Sequence, residues 1–281
     1  MQEGQASRTA VVVCMGRAAA HGRTTAARFS DPTALALLPE DARAHVEQQR
    51  AGARPRGIRG LFMRAVISGQ VPVMTARTVA FDDAVRAGPS GAQVVILGAG
   101  LDGRAWRMPE LADSVVFEVD HPDTQKDKRA RTAALPLVAR DVRFVPVDFT
   151  KDSLDRALAD AGHDPTRPTT WIWEGVIMYL TSAAVEATLD VVDRRSGAGS
   201  RLAALYVEPK WSTRLIGLGV AALGEPYRSR YRPPEMAALL TRHRFTVQSD
   251  TDSPAWARAC GVDPGGAVMR MSADRIVVAT R

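Results

Sequence analysis

Gln93-Val94-Val95-Ile96-Leu97 runs without a break into Gly98-Ala99-Gly100-Leu101-Asp102-Gly103. A short, continuous apolar run of this kind predicts a strand buried on both faces of a parallel sheet. Glycines at its end let the backbone turn tightly, and let a large group approach where a side chain would block it. About twenty residues on, Phe117-Glu118-Val119-Asp120 ends a second strand with acids that can accept hydrogen bonds from a ribose diol. Ligands of open α/β sheets bind beyond the carboxyl ends of the strands, which is where this loop falls. A tight connection would explain an isolated glycine turn. Strand, glycines, helix and acid together point to a nucleotide-containing ligand.

Downstream the pattern alternates. Apolar runs at Val115 to Phe117, Val142 to Val147, Thr170 to Trp173 and Leu202 to Val207 predict strands, and Asp120 to Leu135, Ser153 to Ala161 and Ser182 to Arg194 predict helices between them. Such βαβ units build a doubly wound, mainly parallel sheet. Pro233-Pro234-Glu235 opens another helix ending near His243, and Phe245 to Val247 with Arg275 to Ala279 predicts a closing, hairpin-like pair. Upstream, residues 1–90 read as helical. Asp31-Pro32 starts a helix through Leu38, Pro39-Glu40 starts a second, a break spans Gly52 to Gly60, and a third helix covers Leu61 to Ala87 with an interruption near Gly69 and Pro72. The expected organisation is a helical extension over 1–90 and an α/β core over 91–281, with a helical insertion near 209–232.

With 281 residues, 46% apolar and 24% charged, the chain has the composition of a globular protein that buries a sizeable core. Its net charge of +6 rests on arginine, lysine occurring only at Lys126, Lys128, Lys151 and Lys210. The arginines read as scattered rather than clustered with aromatics, so no nucleic-acid partner is expected. Cys14 and Cys260 form neither a disulfide framework nor a metal-ligand spacing, which fits a reducing, cytoplasmic setting. The apolar runs at Ala10 to Met15 and Leu215 to Gly224 are too short for a leader or a membrane span, and no membrane partner is expected. An oligomer is compatible with the sequence.

The glycine spacing alone fits either a dinucleotide or S-adenosylmethionine. Three features favour the latter. Asp102 and Arg104 put charge where a pyrophosphate would need small apolar residues, and an acid beside phosphates is unfavourable whereas one beside a sulfonium or amino group is not. A long helical preface precedes the first strand. Val147-Asp148-Phe149 ends the third strand with an acid for the adenine amine and an aromatic for a ring face.

Val95 to Arg107 resembles the cofactor loop of the leucine carboxyl methyltransferase family, which includes protein phosphatase methyltransferases and bacterial enzymes acting on polyketides and other small metabolites. Further matches follow in order: Phe29-Ser30-Asp31-Pro32, Ala76-Arg77-Thr78 with Phe81-Asp82-Asp83, Phe117 to Pro122, Asp148-Phe149, and Trp173-Glu174-Gly175-Val176-Ile177-Met178-Tyr179-Leu180. The resemblance implies a class I, Rossmann-like methyltransferase with a seven-stranded sheet and an amino-terminal lid over the acceptor pocket, residues 1–30 above all. It implies that Arg77 holds the methionine carboxylate, that Gly98, Ala99 and Gly100 pass beside the methionine portion, and that Glu118 or Asp120 serves the ribose. Asp148 and Phe149 then serve the adenine, Glu174 lies by the transfer centre and Tyr179 lines the acceptor pocket. The eukaryotic branch carries a lysine near the amino terminus; Arg17 to Arg23 contains none. A small-molecule acceptor therefore fits better than a protein phosphatase.

The implied reaction is O-methylation of a metabolite's carboxylate or hydroxyl, in polyketide-like secondary metabolism, with S-adenosylhomocysteine as product and no metal. A carboxylate acceptor is already ionised and needs no general base. His121 reads as structural and His163 as a solvated turn residue; His21, His45 and His243 form no catalytic constellation. The alternatives are an NAD(P)-linked oxidoreductase, which lacks a Tyr–Lys pair on one helix, and a non-catalytic cofactor-binding protein, against which the intact acids Glu118, Asp120, Asp148 and Glu174 argue.

Overall fold

In the computed structural model, which describes residues 8–55, 57–149, 151–210 and 226–281, seven strands form one sheet. They are β1 (Gln93–Leu97), β2 (Val115–Asp120), β3 (Asp141–Pro146), β4 (Thr169–Trp173), β5 (Arg201–Val207), β6 (Thr246–Asp252) and β7 (Asp274–Thr280), in the order β3-β2-β1-β4-β5-β7-β6. The first five run parallel; β7 is antiparallel to both β5 and β6. The strand order reverses between β1 and β4, so the crevice of the sheet opens where the glycine loop leaves β1.

Alternation along the strands builds a layer on each face. Val94 and Ile96 of β1 join Val116, Ile172, Ala203 and Leu205 in one core. Val95 and Leu97 join Phe117, Trp171, Trp173 and Tyr206 in the other. Helices α7 (Leu154–Asp160), α8 (Ser182–Arg194) and α9 (Pro233–Arg242) cover the second face through Leu158, Leu189 and Leu239. The first is covered by α4 (Gly57–Arg86), α10 (Ser253–Cys260) and α11 (Ala267–Met271) through Val79, Phe81, Trp256 and Met269. The two short helices between β6 and β7 were not foreseen. α6 (Pro122–Thr132) links β2 to β3, and α5 (Arg104–Arg107) is one turn after the glycine loop.

The extension is helical as expected, with two differences. α1 (Arg8–Ala20), α2 (Ala34–Leu37) and α3 (Glu40–Arg50) precede α4, which starts at Gly57, inside the expected break. It then passes through Gly69 and Pro72 without interruption. Proline removes a helical hydrogen bond and crowds the preceding turn. Here α1 and α10 pack along α4, and that burial overrides the local cost. Most of the 209–232 stretch read as a helical insertion lies outside the described residues; residues 209–210 and 226–232 are not helical.

Candidate active site

The loop after β1 is shaped by its two glycines. Gly98 has φ 70° and Gly100 φ 46°, a left-handed region that costs a residue with a Cβ free energy. A Cβ on Gly98 would lie 2.3 Å from Cγ2 of Val176. The amides of Gly98 and Ala99 both donate to the Val119 carbonyl, at 2.8 and 3.0 Å, and Gly100 N–H donates to Asp120 Oδ2 at 2.5 Å. The loop is thus tied to the end of β2. The Ala99 methyl faces the core, so that residue offers its backbone only.

Glu118 and Asp120 share a face of β2 but have different environments. Glu118 is fully buried and forms an ion pair with Lys128 of α6 at 2.7 Å. Burial pushes its carboxyl up to about 7, with Lys128 opposing. Asp120, at the strand end, faces the loop and also accepts from His121 N–H at 2.6 Å. Of the two acids expected near a ribose, only Asp120 reaches the crevice. Asp148 and Phe149 follow β3 as expected, both half-buried, and Asp148 forms an ion pair with Lys151 at 3.3 Å.

Across the reversal point Glu174 directly follows β4. Its Oε1 accepts from Arg77 Nε at 2.8 Å and its Oε2 from Arg104 Nη2 at 3.0 Å. Arg104 also donates from Nε to Asp82 Oδ1 at 2.8 Å and from Nη1 to Asp102 Oδ2. Arg107 donates to both oxygens of Asp82, at 2.7 and 2.8 Å, and lies 3.7 Å from Asp31, which in turn pairs with Arg17 of α1 at 2.9 Å. Four arginines and four acids thus form one buried, charge-balanced chain from α1 to the end of β4. Burial alone would raise both Asp82 and Asp102. Arg107 and Arg104 outweigh it at Asp82 and hold that carboxyl low, while Arg104, Lys128 and Arg17 hold Asp102 at about 2. Asp102 and Arg104, expected to bring charge to the ligand, are instead partners in the interior and do not distinguish a dinucleotide from S-adenosylmethionine.

α1 lies over the loop. Arg17 Nη2 donates to the Leu101 carbonyl at 2.6 Å, and a Cβ on Gly100 would be 3.4 Å from the Cβ of Ala10. On the β5 side, Tyr179 ends a single turn of 3₁₀ helix (Ile177–Tyr179), its ring 5.8 Å from that of Tyr227. Asp274 opens β7 at the same edge, in register with Val207, and burial raises its carboxyl while Arg77 opposes. Sequence reasoning missed Tyr227 and Asp274, since neither sits in a motif and only the antiparallel β7 brings Asp274 to this end. His163, expected to be solvated, is buried between Phe117 and Trp171 with Nε2 3.1 Å from Thr169 Oγ1, and burial and Arg195 depress it to about 4. His121 caps α6 as expected. Among the described residues no cluster of His, Cys, Asp and Glu has the arrangement to hold a metal ion.

A seven-stranded sheet with one antiparallel strand, a glycine loop after β1 and an acid at the end of β2 is the architecture of the class I methyltransferases. The leucine carboxyl methyltransferase family model matches residues 10–193. A relative from Mycobacterium sp. (strain JLS), named "Putative S-adenosyl-L-methionine-dependent methyltransferase", is 36% identical over 233 residues, 82% of this chain and 75% of the relative. One of the same name from Mycolicibacterium gilvum (strain PYR-GCK) is 38% identical over 197 residues, 69% of this chain and 62% of the relative. A DUF574 family protein from Streptomyces avermitilis shares the fold at a TM-score of 0.60, with 14% identity over 99% of both chains. The chain belongs to the leucine carboxyl methyltransferase family and depends on S-adenosylmethionine, which sets aside the oxidoreductase and non-catalytic readings.

Proposed function

We propose that this protein is an O-methyltransferase that methylates a carboxylate or hydroxyl of a small, polyketide-like metabolite in the cytoplasm. The observation that carries this reading is the Arg77–Glu174 pair at the reversal point, beside the glycine loop. A cation and an acid side by side complement the two charged ends of an amino acid, and the methionine portion of S-adenosylmethionine is one. Arg77 is placed to hold its carboxylate bidentately and Glu174 its ammonium. The left-handed turn at Gly98 and Gly100 leaves a side-chain-free path along the methionine portion. Asp120 takes the ribose diol, Asp148 the adenine amine and Phe149 a ring face.

S-adenosylmethionine supplies a methyl group already activated on a sulfonium. The residues of the chain position, shield and select. α1 closes over the loop through Arg17 and Ala10 and keeps water from the transfer centre. Tyr179 and Tyr227 line the side from which the acceptor approaches. A carboxylate acceptor enters ionised and asks no proton transfer of the chain, whereas a hydroxyl must pass its proton to a base; Asp274 is the nearby carboxyl not locked into the arginine chain. Calorimetric titration with S-adenosylmethionine and with NADH, followed by a mass-spectrometric screen of candidate acids and phenols for a gain of about 14 Da, tests the reading. NADH binding in preference, or methylation confined to nitrogen or to protein substrates, would overturn it.

A further inference from the structure

We propose that the amino-terminal end of α4 is a docking surface for a bilayer of anionic phospholipid. Ile58, Leu61 and Phe62 stand 87%, 58% and 67% exposed among the described residues. Their spacing of three and four places them on one face of the helix's first turns, projecting outward rather than lining a groove. Single exposed apolar residues are ordinary; three adjacent large ones mark a surface that is covered in use.

The charge around them is one-sided. From Gln48 to Ala76 the sequence holds five arginines and not one Asp or Glu, against a net charge of +6 for the whole chain. The buried arginines elsewhere meet carboxylates, whereas this stretch of sequence carries no acid of its own. Arg54, Arg59 and Arg64 are exposed around the apolar trio. Beside it, α3 and α4 border a cavity of about 250 Å³ whose walls combine Met63 and Ile67 with His45, Gln48, Arg59 and Arg64, a mixed recess in which two guanidinium groups could meet a phosphate headgroup. Apolar side chains that enter the acyl boundary, ringed by cations at headgroup level, are the elements of an interfacial anchor.

Other occupants fit less well. A second copy would set arginine against arginine. Nucleic acid would satisfy the arginines and leave Ile58, Leu61 and Phe62 in water. An acidic protein would need a groove to receive three projecting side chains. The expectation of no membrane partner rested on span length, and no helix among the described residues is long and apolar enough to cross a bilayer. Docking on the surface requires no such helix. Along α4 the trio lies about 22–29 Å from Arg77, so the surface is separate from the cofactor crevice.

Flotation of the full chain with vesicles of phosphatidylglycerol and phosphatidylcholine, against phosphatidylcholine alone and without S-adenosylmethionine, tests this independently of methyl transfer. Partition onto the anionic vesicles should be at least about tenfold stronger and should weaken in 0.5 M salt. Ile58→Ser with Phe62→Ser should lower it by at least about tenfold, and Arg59→Gln with Arg64→Gln by about twentyfold. S-adenosylhomocysteine affinity should be unchanged in both variants, which also shows that they are folded. The proposal falls if wild type ignores anionic vesicles, if neither variant loses binding, or if duplex DNA or an acidic peptide binds more tightly with the same sensitivity. A dimer in solution that the Ile58/Phe62 variant dissociates would equally overturn it.

Discussion

Around Gly98 and Glu174 the carboxyl edge of the sheet is a lattice of paired charges, whereas around Tyr179 and Tyr227 it is aromatic and held largely through the backbone. On the first side every arginine from Arg17 to Arg107 in the buried chain meets a carboxylate. On the second, Arg228 N–H donates to the Met178 carbonyl at 2.7 Å, Ser229 Oγ donates to the Ile177 carbonyl at 2.8 Å, and the two tyrosine rings meet tilted by 49°. Buried charges tolerate little rearrangement, because each displaced partner leaves an uncompensated ion. Aromatic faces held by main-chain hydrogen bonds accept many shapes. The first side suits a ligand of fixed chemistry, and the second suits the variable acceptor of the proposed function.

The charged side is broken most severely at its centre. Arg104→Met removes one cation from among Asp82, Asp102 and Glu174, and should cost about 3–5 kcal/mol in urea unfolding; stability near wild type would mean that the lattice does not hold this edge. Next is its acid limit. The Asp102 carboxyl is held at about 2, below its ordinary 3.8. A depressed carboxyl contributes stability that is present above its unfolded value and lost as pH falls through its folded one. The share is about 2 kcal/mol, lost between roughly pH 4 and pH 2. Unfolding of Asp102→Asn should start from lower stability at neutral pH and show a shallower acid limb; parallel limbs would count against the pairing.

Two cofactor predictions sharpen the contrast. Gly98→Ala places a methyl group against Val176 on a left-handed backbone, and S-adenosylhomocysteine affinity by calorimetry should fall about thirtyfold. Adding Val176→Ala should recover the part due to the clash and leave the part due to φ. Arg77→Ala should weaken S-adenosylmethionine about tenfold or more and its decarboxylated analogue far less. Equal losses would remove Arg77 from the carboxylate.

These two sides were also unequally legible. The strand run Gln93 to Leu97, the glycines and the alternation of strands and helices fixed the sheet, because period and turn chemistry are local properties. Arg77 and Glu174, 97 residues apart, were assignable only through the family motif, and their 2.8 Å contact is a product of the fold. Local pattern could not separate Glu118 from Asp120. Both lie on one face of β2, and only the placement of Lys128 on α6 shows that the first is interior. Asp102 misled for the same reason, since a charge beside a glycine loop reads as a ligand contact until its buried partner is seen. His163 misled through its Gly-His-Asp-Pro setting, which resembles an exposed turn although the ring packs between Phe117 and Trp171. Continuity of α4 through Pro72 depends on what packs along it, which no window of sequence contains.

The smallest predicted effect belongs to the aromatic side and decides whether the division is real. Tyr179 follows Glu174 on the same segment, so a site of one piece would feel its loss on both substrates. It ends the 3₁₀ turn, half-buried, with its ring against Tyr227. Tyr179→Phe keeps the ring and its packing and deletes one hydroxyl, a change worth about 0.5–1.5 kcal/mol where that hydroxyl meets a ligand. The KM for the acceptor should rise about threefold, with S-adenosylhomocysteine affinity and the urea midpoint unchanged. Tyr179→Ala, which also removes the ring from Tyr227, should raise it further while still sparing the cofactor. If the Phe variant weakened S-adenosylhomocysteine as much as the acceptor, Tyr179 would belong with Arg77 and Glu174, and the edge would be a single site rather than a fixed half joined to an adaptable one.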